Sequence, residues 1–388
     1  MDYNCDIVIF TAKFGNGHIS VTNSINNALM KNNPDLNIKI VDFFELVYPN
    51  FYEINYKAFE FSVKNTPKLY KLYYQANEQF NKLEHKIEQK VEEKDLRNPF
   101  KPLITMQRLD KFLKELKPRV ILSTFPTCTR FISRYKQIFD KDMALCTCIT
   151  DVVDKYEWIA RKNDIYFVPT EDIKDSLMSK GIDSKKLIVT GIPIKQDFYD
   201  DLDCSIVEKN VHLDIKEDDF VILFMGGGMG VLPEDEEFYE SLSKFEPFKV
   251  VIVTGNNKQL YNKLKKLNKK TNISVLGYCE FIPELMKKSN VIVTKPGGIT
   301  LFESIASNLP LIVFNTELGQ EIENAKYIKN KGIGYVEDSK EGLKERLVEL
   351  YINKKQYKSV VCNIEKASKN MNMDILVETL IEEIKNAD

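Results

Sequence analysis

The sequence predicts an α/β protein made of two similar halves, each a parallel sheet covered by helices on both faces. Three observations predict it. The chain has 388 residues, more than one ordinary hydrophobic core organises. Short apolar runs alternate with stretches of helical spacing, the pattern of strands joined by crossover helices. The second half then repeats that alternation.

In the first half, residues 7–11 read as a strand. Residues 20–31 read as a helix, with Val21, Ile25, Ala28 and Leu29 at helical spacing. Further strands are expected at 38–41, 120–123, 145–150 and 165–168, and Thr190-Gly-Ile-Pro193 ends the last strand of this half, as the expected wall of an interdomain cleft or as a plain turn into the linker. In the second half, strands are expected at 220–225, 249–254, 273–276, 291–294 and 311–314. The break falls near the acidic stretch 197–203, which gives domains of residues 1–197 and 198–364. A closing helix, about 365–388 with its apolar run at 377–384, is expected to pack back on the first domain.

Residues 47–116 break the alternation and read as a helical insertion. They are dense in aromatics: Phe51, Tyr52, Tyr56, Phe59, Phe61, Tyr70, Tyr73, Tyr74 and Phe80. Between residues 51 and 82, Lys57, Lys64, Lys68, Lys71 and Lys82 outnumber Glu53, Glu60 and Glu78. Two readings stand. The segment is a basic, aromatic face for an anionic membrane surface, or its aromatics are ordinary core. The mixed charges of 84–97 read as a solvated helix face.

The composition excludes several classes. The hydrophobic share of 43% and the charged share of 29% describe a soluble globular protein. A net charge of −2 gives no whole-molecule case for nucleic acid. The seven cysteines are scattered apart from Cys146 and Cys148, and the three histidines lie far apart, so no zinc site is expected. An odd cysteine count in a Lys/Glu-rich chain fits reduced thiols in a cytosol. The first residues are acidic and lack the basic and apolar regions of a signal peptide. No apolar run approaches the roughly 20 residues that span a bilayer, so any membrane contact is expected to be peripheral.

Three glycine-bearing stretches carry candidate chemistry, each directly after a strand pattern. The first is Phe14-Gly-Asn-Gly-His18. Gly15 and Gly17 let the chain turn around Asn16 at the carboxyl end of a strand, where open α/β sheets bind ligands. His18 titrates near neutrality and can take a proton from an acceptor hydroxyl. The second is Gly226, Gly227, Gly228, Met229 and Gly230, which allow close backbone approach to a diphosphate. It is neither a Walker A loop nor a complete dinucleotide fingerprint, since Val231 stands where the third glycine belongs.

The third stretch is Lys295, Pro296, Gly297, Gly298, Ile299 and Thr300, running into a helix that contains Glu303. The start of that helix offers unpaired N–H groups and a positive dipole end, and a carboxylate at Glu303 can accept both hydroxyls of a ribose. Gln320, Glu321 and Asn324 follow the next strand within a single turn and suit the hydroxyls of a sugar ring. Any one of these stretches also reads as a plain strand–turn–helix connection. In succession they fit a pocket for a nucleotide-activated sugar. Asp151, at the end of a strand, can orient His18 or an acceptor hydroxyl, or serve as a helix cap. Trp158 lies one loop later.

In this order the motifs resemble the processive diacylglycerol glucosyltransferases of Gram-positive bacteria, within glycosyltransferase family 28. The resemblance runs from Thr11-Ala-Lys-Phe-Gly-Asn-Gly-His18 through Thr124-Phe-Pro126, Thr150-Asp151 and Trp158, and Thr190-Gly-Ile-Pro-Ile194. It continues through Gly226–Gly230, Leu276-Gly-Tyr278, Thr294-Lys-Pro-Gly-Gly-Ile-Thr300 and Gly319-Gln-Glu321. It implies a GT-B fold, two Rossmann-like domains facing across a cleft, with an acceptor-binding N-terminal domain and a nucleotide-sugar-binding C-terminal domain.

Carried over by residue, 226–230 face the diphosphate and 296–300 lie by the uridine and phosphates. Glu303 binds the ribose, Gln320 and Glu321 hold the hexose, and His18 is base or acceptor anchor. Phe14 to Gly17 and Trp158 stand on the acceptor side. The implied activity is an inverting, metal-independent transfer of a hexose, glucose by family, from a UDP-sugar to diacylglycerol or glycosyl-diacylglycerol. The UDP-sugar is a co-substrate, no cofactor is implied, and no Asp-x-Asp cation motif stands near the donor residues. The implied place is the cytoplasmic face of the cell membrane, with 47–116 as the contact region. One departure is Lys155, where relatives often carry a histidine three residues before the tryptophan. The alternatives are a transferase acting on a lipid-linked muramyl peptide or other acceptor, a UDP-sugar epimerase, and a UDP-glucose-sensing regulatory protein.

Overall fold

Two six-stranded, wholly parallel sheets organise the chain. They are seen in a computed structural model that describes residues 4–15, 17–88, 104–200, 202–227, 230–270, 272–314 and 319–387. By internal contacts the chain divides into two compact units, one of Met1–Lys195 with Asn370–Asp388, the other of Gln196–Lys369.

The first unit contains β1 (Cys5–Thr11), β2 (Ile38–Asp42), β3 (Pro118–Ser123), β4 (Ala144–Cys148), β5 (Ile165–Val168) and β6 (Leu187–Val189). Their spatial order is β2-β1-β3-β4-β5-β6. The chain therefore leaves β1 toward one edge and crosses back to the other side with β3. That reversal opens a crevice at the carboxyl ends of β1 and β3, where Phe10 pairs with Ser123.

Burial on both faces explains the near-continuous apolar strands. Val8 and Phe10 on one face pack with Ile121, Phe43, Cys128 and Ile132. The Ile104–Leu116 helix adds Met106, Leu109 and Leu113 to this cluster. That end of the expected insertion is thus a core helix, because its apolar stripe covers the sheet. Asp42 closes β2 and opens the next helix, its Oδ1 accepting from the Phe44 and Glu45 N–H groups at 3.0 and 3.2 Å.

The last helix, Met373–Asn386, belongs to the first unit. Leu376, Val377, Leu380 and Ile384 are its buried stripe, laid on the Gly17–Asn32 helix and on β3. Its entry is fixed by the Asn372 N–H, which donates to the Thr190 carbonyl at 2.9 Å.

The second unit contains β7 (Phe220–Met225), β8 (Phe248–Val253), β9 (Ile273–Leu276), β10 (Val291–Thr294), β11 (Leu311–Phe314) and β12 (Gly334–Glu337). The order β12-β11-β10-β7-β8-β9 is that of a doubly wound nucleotide-binding domain. Here the reversal lies between β7 and β10, with Met225 paired to Thr294. The five strands expected in this half are present. β12 was not expected, since four residues beginning with glycine carry no strand signal without their partner β11.

Candidate active site

The loop after β1 carries the first set of candidate residues. Gly15 adopts φ +85°, a conformation that favours glycine, and the chain enters the Gly17–Asn32 helix with His18 as its second residue. Across the reversal stands Thr124, the first residue after β3. Its N–H donates to the Phe10 carbonyl at 3.0 Å, and its Oγ1 lies 2.9 Å from Oγ1 of the buried Thr22. The Thr124 carbonyl is thereby held 2.9 Å from His18 Nδ1. Thr150 Oγ1, just beyond β4, lies 2.9 Å from the same nitrogen.

A carbonyl oxygen only accepts, so Nδ1 carries the hydrogen and shares it between the two oxygens. Nε2 keeps a lone pair. Phe125 meets the imidazole edge-on at 4.9 Å between ring centres. Enclosure of the ring pushes its pKa down to about 4, against a smaller upward contribution from the Thr124 carbonyl. The imidazole is therefore neutral at physiological pH, with a proton acceptor at Nε2.

The sign of the pH dependence follows. Unfolded, His18 takes a proton near pH 6.5; folded, it resists until about pH 4. Its neutral form therefore contributes stability that is full above 6.5 and is lost as the pH falls toward 4. The acid limb of kcat/KM is expected near pH 4, and a profile from pH 3.5 to 8 with a limb centred at 6.5 contradicts this assignment.

Phe14 stacks on Phe125 at 5.3 Å and meets the rings of Phe44, Tyr56 and Phe59 at 4.8, 4.8 and 5.1 Å. The Tyr56 hydroxyl donates to Asp42 Oδ1 at 2.6 Å and accepts from the Lys13 N–H at 3.2 Å. Burial and that carboxylate push the Tyr56 phenol well up. The Tyr52–Asn65 helix is thus tied to the loop that presents His18.

Sequence reasoning missed Thr124 as the partner of His18, although the polar Thr124 directly after an apolar strand was the available signal. Asp151 was expected to orient His18 or an acceptor hydroxyl, or to cap a helix; Thr124 and Thr150 hold Nδ1, and Asp151 is the half-buried residue that follows. Trp158 was expected on the acceptor side. It is 2% exposed, in a short turn packed between the Pro67–Glu88 and Pro126–Phe139 helices, because so large an apolar ring is most stable in the core. Asn16, Gly228 and Met229 lie outside the described residues.

In the second unit the candidate residues gather at the β7–β10 reversal. Gly226 and Gly227 carbonyls accept from the Val231 and Gly230 N–H groups, both at 3.0 Å, and φ is +64° at Gly227 and +61° at Gly230. The Lys295 side chain lies over this turn, its Cε 3.4 Å from where a Gly227 Cβ would stand. Its ammonium pairs with Glu321 Oε1 at 3.0 Å. Gly297 precedes the Gly298–Ala306 helix without a side-chain cap, so that helix opens beside Lys295 and Pro296. Thr300 and Glu303 are half-buried on its first turns.

Asn324 lies behind the turn. It is fully buried and its Nδ2 donates to the Pro296 carbonyl at 2.9 Å, bracing the turn from behind. Gln320 differs: its Oε1 is buried with no hydrogen-bond partner among the described residues. Such an orphaned acceptor is uncommon and is satisfied by a hydroxyl donor.

Solved structures share this architecture. Staphylococcus aureus MnaA with UDP superposes with a TM-score of 0.61 at 15% identity, covering 98% of this chain and 96% of that one. The UDP-GlcNAc 2-epimerase of Neisseria meningitidis bound to UDP-GlcNAc gives 0.60 at 18%, covering 97% and 99%. The fold is GT-B, two Rossmann-like domains. The monogalactosyldiacylglycerol (MGDG) synthase family matches residues 18–194, and the glycosyltransferase family 28 C-terminal domain matches 221–377. The processive diacylglycerol β-glucosyltransferase of Staphylococcus carnosus is 32% identical over 89% of this chain and 85% of its own length. That of Bacillus licheniformis is 28% identical over 99% and 96%. The chain belongs to the family of processive diacylglycerol β-glucosyltransferases and is a glycosyltransferase.

Proposed function

We propose that the protein transfers glucose from UDP-glucose to diacylglycerol, and then to the glucosyl-diacylglycerol formed, with inversion and without a metal ion. The observation that carries this reading is the neutral imidazole of His18 at the β1–β3 reversal, its Nδ1 bound and its Nε2 left as the proton acceptor. In the step, the acceptor oxygen attacks the anomeric carbon, its proton passes to Nε2, and the bond from that carbon to the β-phosphate oxygen breaks. UDP leaves with the electron pair. The Gly226 and Gly227 N–H groups and the Gly298–Ala306 helix start take up the charge that develops. Glu303 binds the ribose, and Gln320 and Glu321 the hexose.

The membrane contact belongs to the same proposal. No helix among the described residues is long and apolar enough to cross a membrane. Phe51, Ile54 and Phe61 are each 62% exposed, on one side of the Tyr52–Asn65 helix and its start. Phe80 and Leu83 are exposed on the next helix. Exposed apolar side chains at that spacing suit peripheral attachment to a bilayer, with Lys57, paired with Glu53 at 3.7 Å, at the same surface.

The test is purified protein with diacylglycerol micelles and UDP-glucose, UDP-galactose or UDP-N-acetylglucosamine in turn, with and without EDTA. Mono- and diglucosyl lipids with a β linkage, formed equally in EDTA, are expected. UDP-glucose binding with no lipid product supports a sensor instead, and free sugar-nucleotide isomers support an epimerase.

A further inference from the structure

We infer that Lys295 is a positioning residue whose pairing switches: the donor's diphosphate draws its ammonium away from Glu321, and the released carboxylate then receives the sugar. The inference rests on the donor site proposed above and deepens it. Glu321 is 6% exposed, and among the described residues its one ionic partner is the Lys295 ammonium at 3.0 Å. The lysine side chain is more open, at 23%, and its stem crosses the Gly227 turn. One cation thus stands between the place where the diphosphate charge would lie and the carboxylate expected to hold the hexose.

In this resting arrangement the carboxylate's charge is satisfied by the lysine, the more open of the two side chains. A diphosphate at the turn competes for the same cation. As the ammonium swings toward it, Glu321 gains free lone pairs one residue from Gln320, whose Oε1 has no partner among the described residues. Two acceptors then face the hexose hydroxyls together. No covalent bond changes, and the charge is conserved: the lysine exchanges one anionic partner for another. The nucleotide part of the donor in this way prepares the site for its sugar part.

The experiment measures UDP and UDP-glucose affinity by calorimetry, with turnover, for wild type, Lys295→Met, Glu321→Gln and the double variant. Lys295→Met is expected to weaken UDP binding by about 10- to 100-fold, the worth of a charge-assisted hydrogen bond. Glu321→Gln is expected to tighten UDP by about 3- to 10-fold, since the ammonium no longer has a competing anion, while UDP-glucose loses its advantage over UDP and turnover falls. The double variant removes the buried unpaired carboxylate that Lys295→Met leaves behind, and its UDP affinity should equal that of Lys295→Met, because Glu321 acts on UDP only through the lysine. Weaker or unchanged UDP binding in Glu321→Gln overturns the switch and leaves a purely structural ion pair. A wild type that binds no UDP overturns the donor site itself, and the switch with it.

Discussion

Replacing His18 by alanine is expected to lower turnover by about 10²-fold or more, the usual scale for a positioned acid or base, and to leave UDP affinity within about twofold. The imidazole is committed on one side only. Nδ1 is held by the Thr124 carbonyl and the Thr150 hydroxyl, so neither can act on a ligand without releasing it. Nε2 is the remaining nitrogen, and a pKa of about 4 keeps it unprotonated through the working range. His18→Gln separates two roles. A glutamine amide can hold an acceptor hydroxyl but cannot accept its proton. A base role predicts that glutamine restores the acceptor KM and not kcat; recovery of kcat assigns His18 to anchoring alone. Unchanged turnover in His18→Ala removes the residue from the reaction.

The second large effect concerns stability. Gly230→Ala is expected to destabilise the second unit by about 2–5 kcal/mol, adding backbone strain to overpacking. A Cβ there would stand 2.1 Å from the Thr254 carbonyl oxygen and 2.7 Å from Asn257 Cβ, at φ +61°. Neither obstacle can move cheaply: Thr254 leaves β8 with its N–H bound to Leu276 O at 3.0 Å, and Asn257 caps the next helix through the Leu260 N–H at 2.9 Å. Gly227→Ala is the control. Its φ is +64°, but the nearest atom is the Lys295 Cε at 3.4 Å, which can give way, so about 1–2 kcal/mol is expected from the left-handed backbone alone. Chemical denaturation read in the second unit checks both. Equal costs would show that the clash at Thr254 relaxes and that the turn is not held as described.

The effect of Gly230→Ala also shows why glycine-rich turns were legible in the sequence while much of their surroundings was not. A turn that forbids a side chain needs glycine wherever it occurs, and the run from Gly226 to Gly230 announces itself. Asn324 and Gln320 carry the same kind of signal, an amide in the first turns of a helix, yet one braces Pro296 and the other is left unsatisfied. The direction an amide takes depends on what the rest of the fold brings against it. The burial of Trp158 was not legible for the same reason: a lone tryptophan in a loop is exposed or packed according to what the fold brings against it.

What the sequence by itself determined was local: strands and helices through hydrophobic period, turns through glycine, and two sheets through alternation. The paired threonine contacts of His18 and the Lys295–Glu321 bridge were decided only by tertiary structure. The residues of these contacts stand 106, 132 and 26 positions apart, and what joins them is the order of strands in each sheet. That order brings β1 beside β3 and β7 beside β10. Period and turn chemistry act over a few residues and carry no record of it, since strand order is settled by which apolar faces bury one another when the whole unit closes.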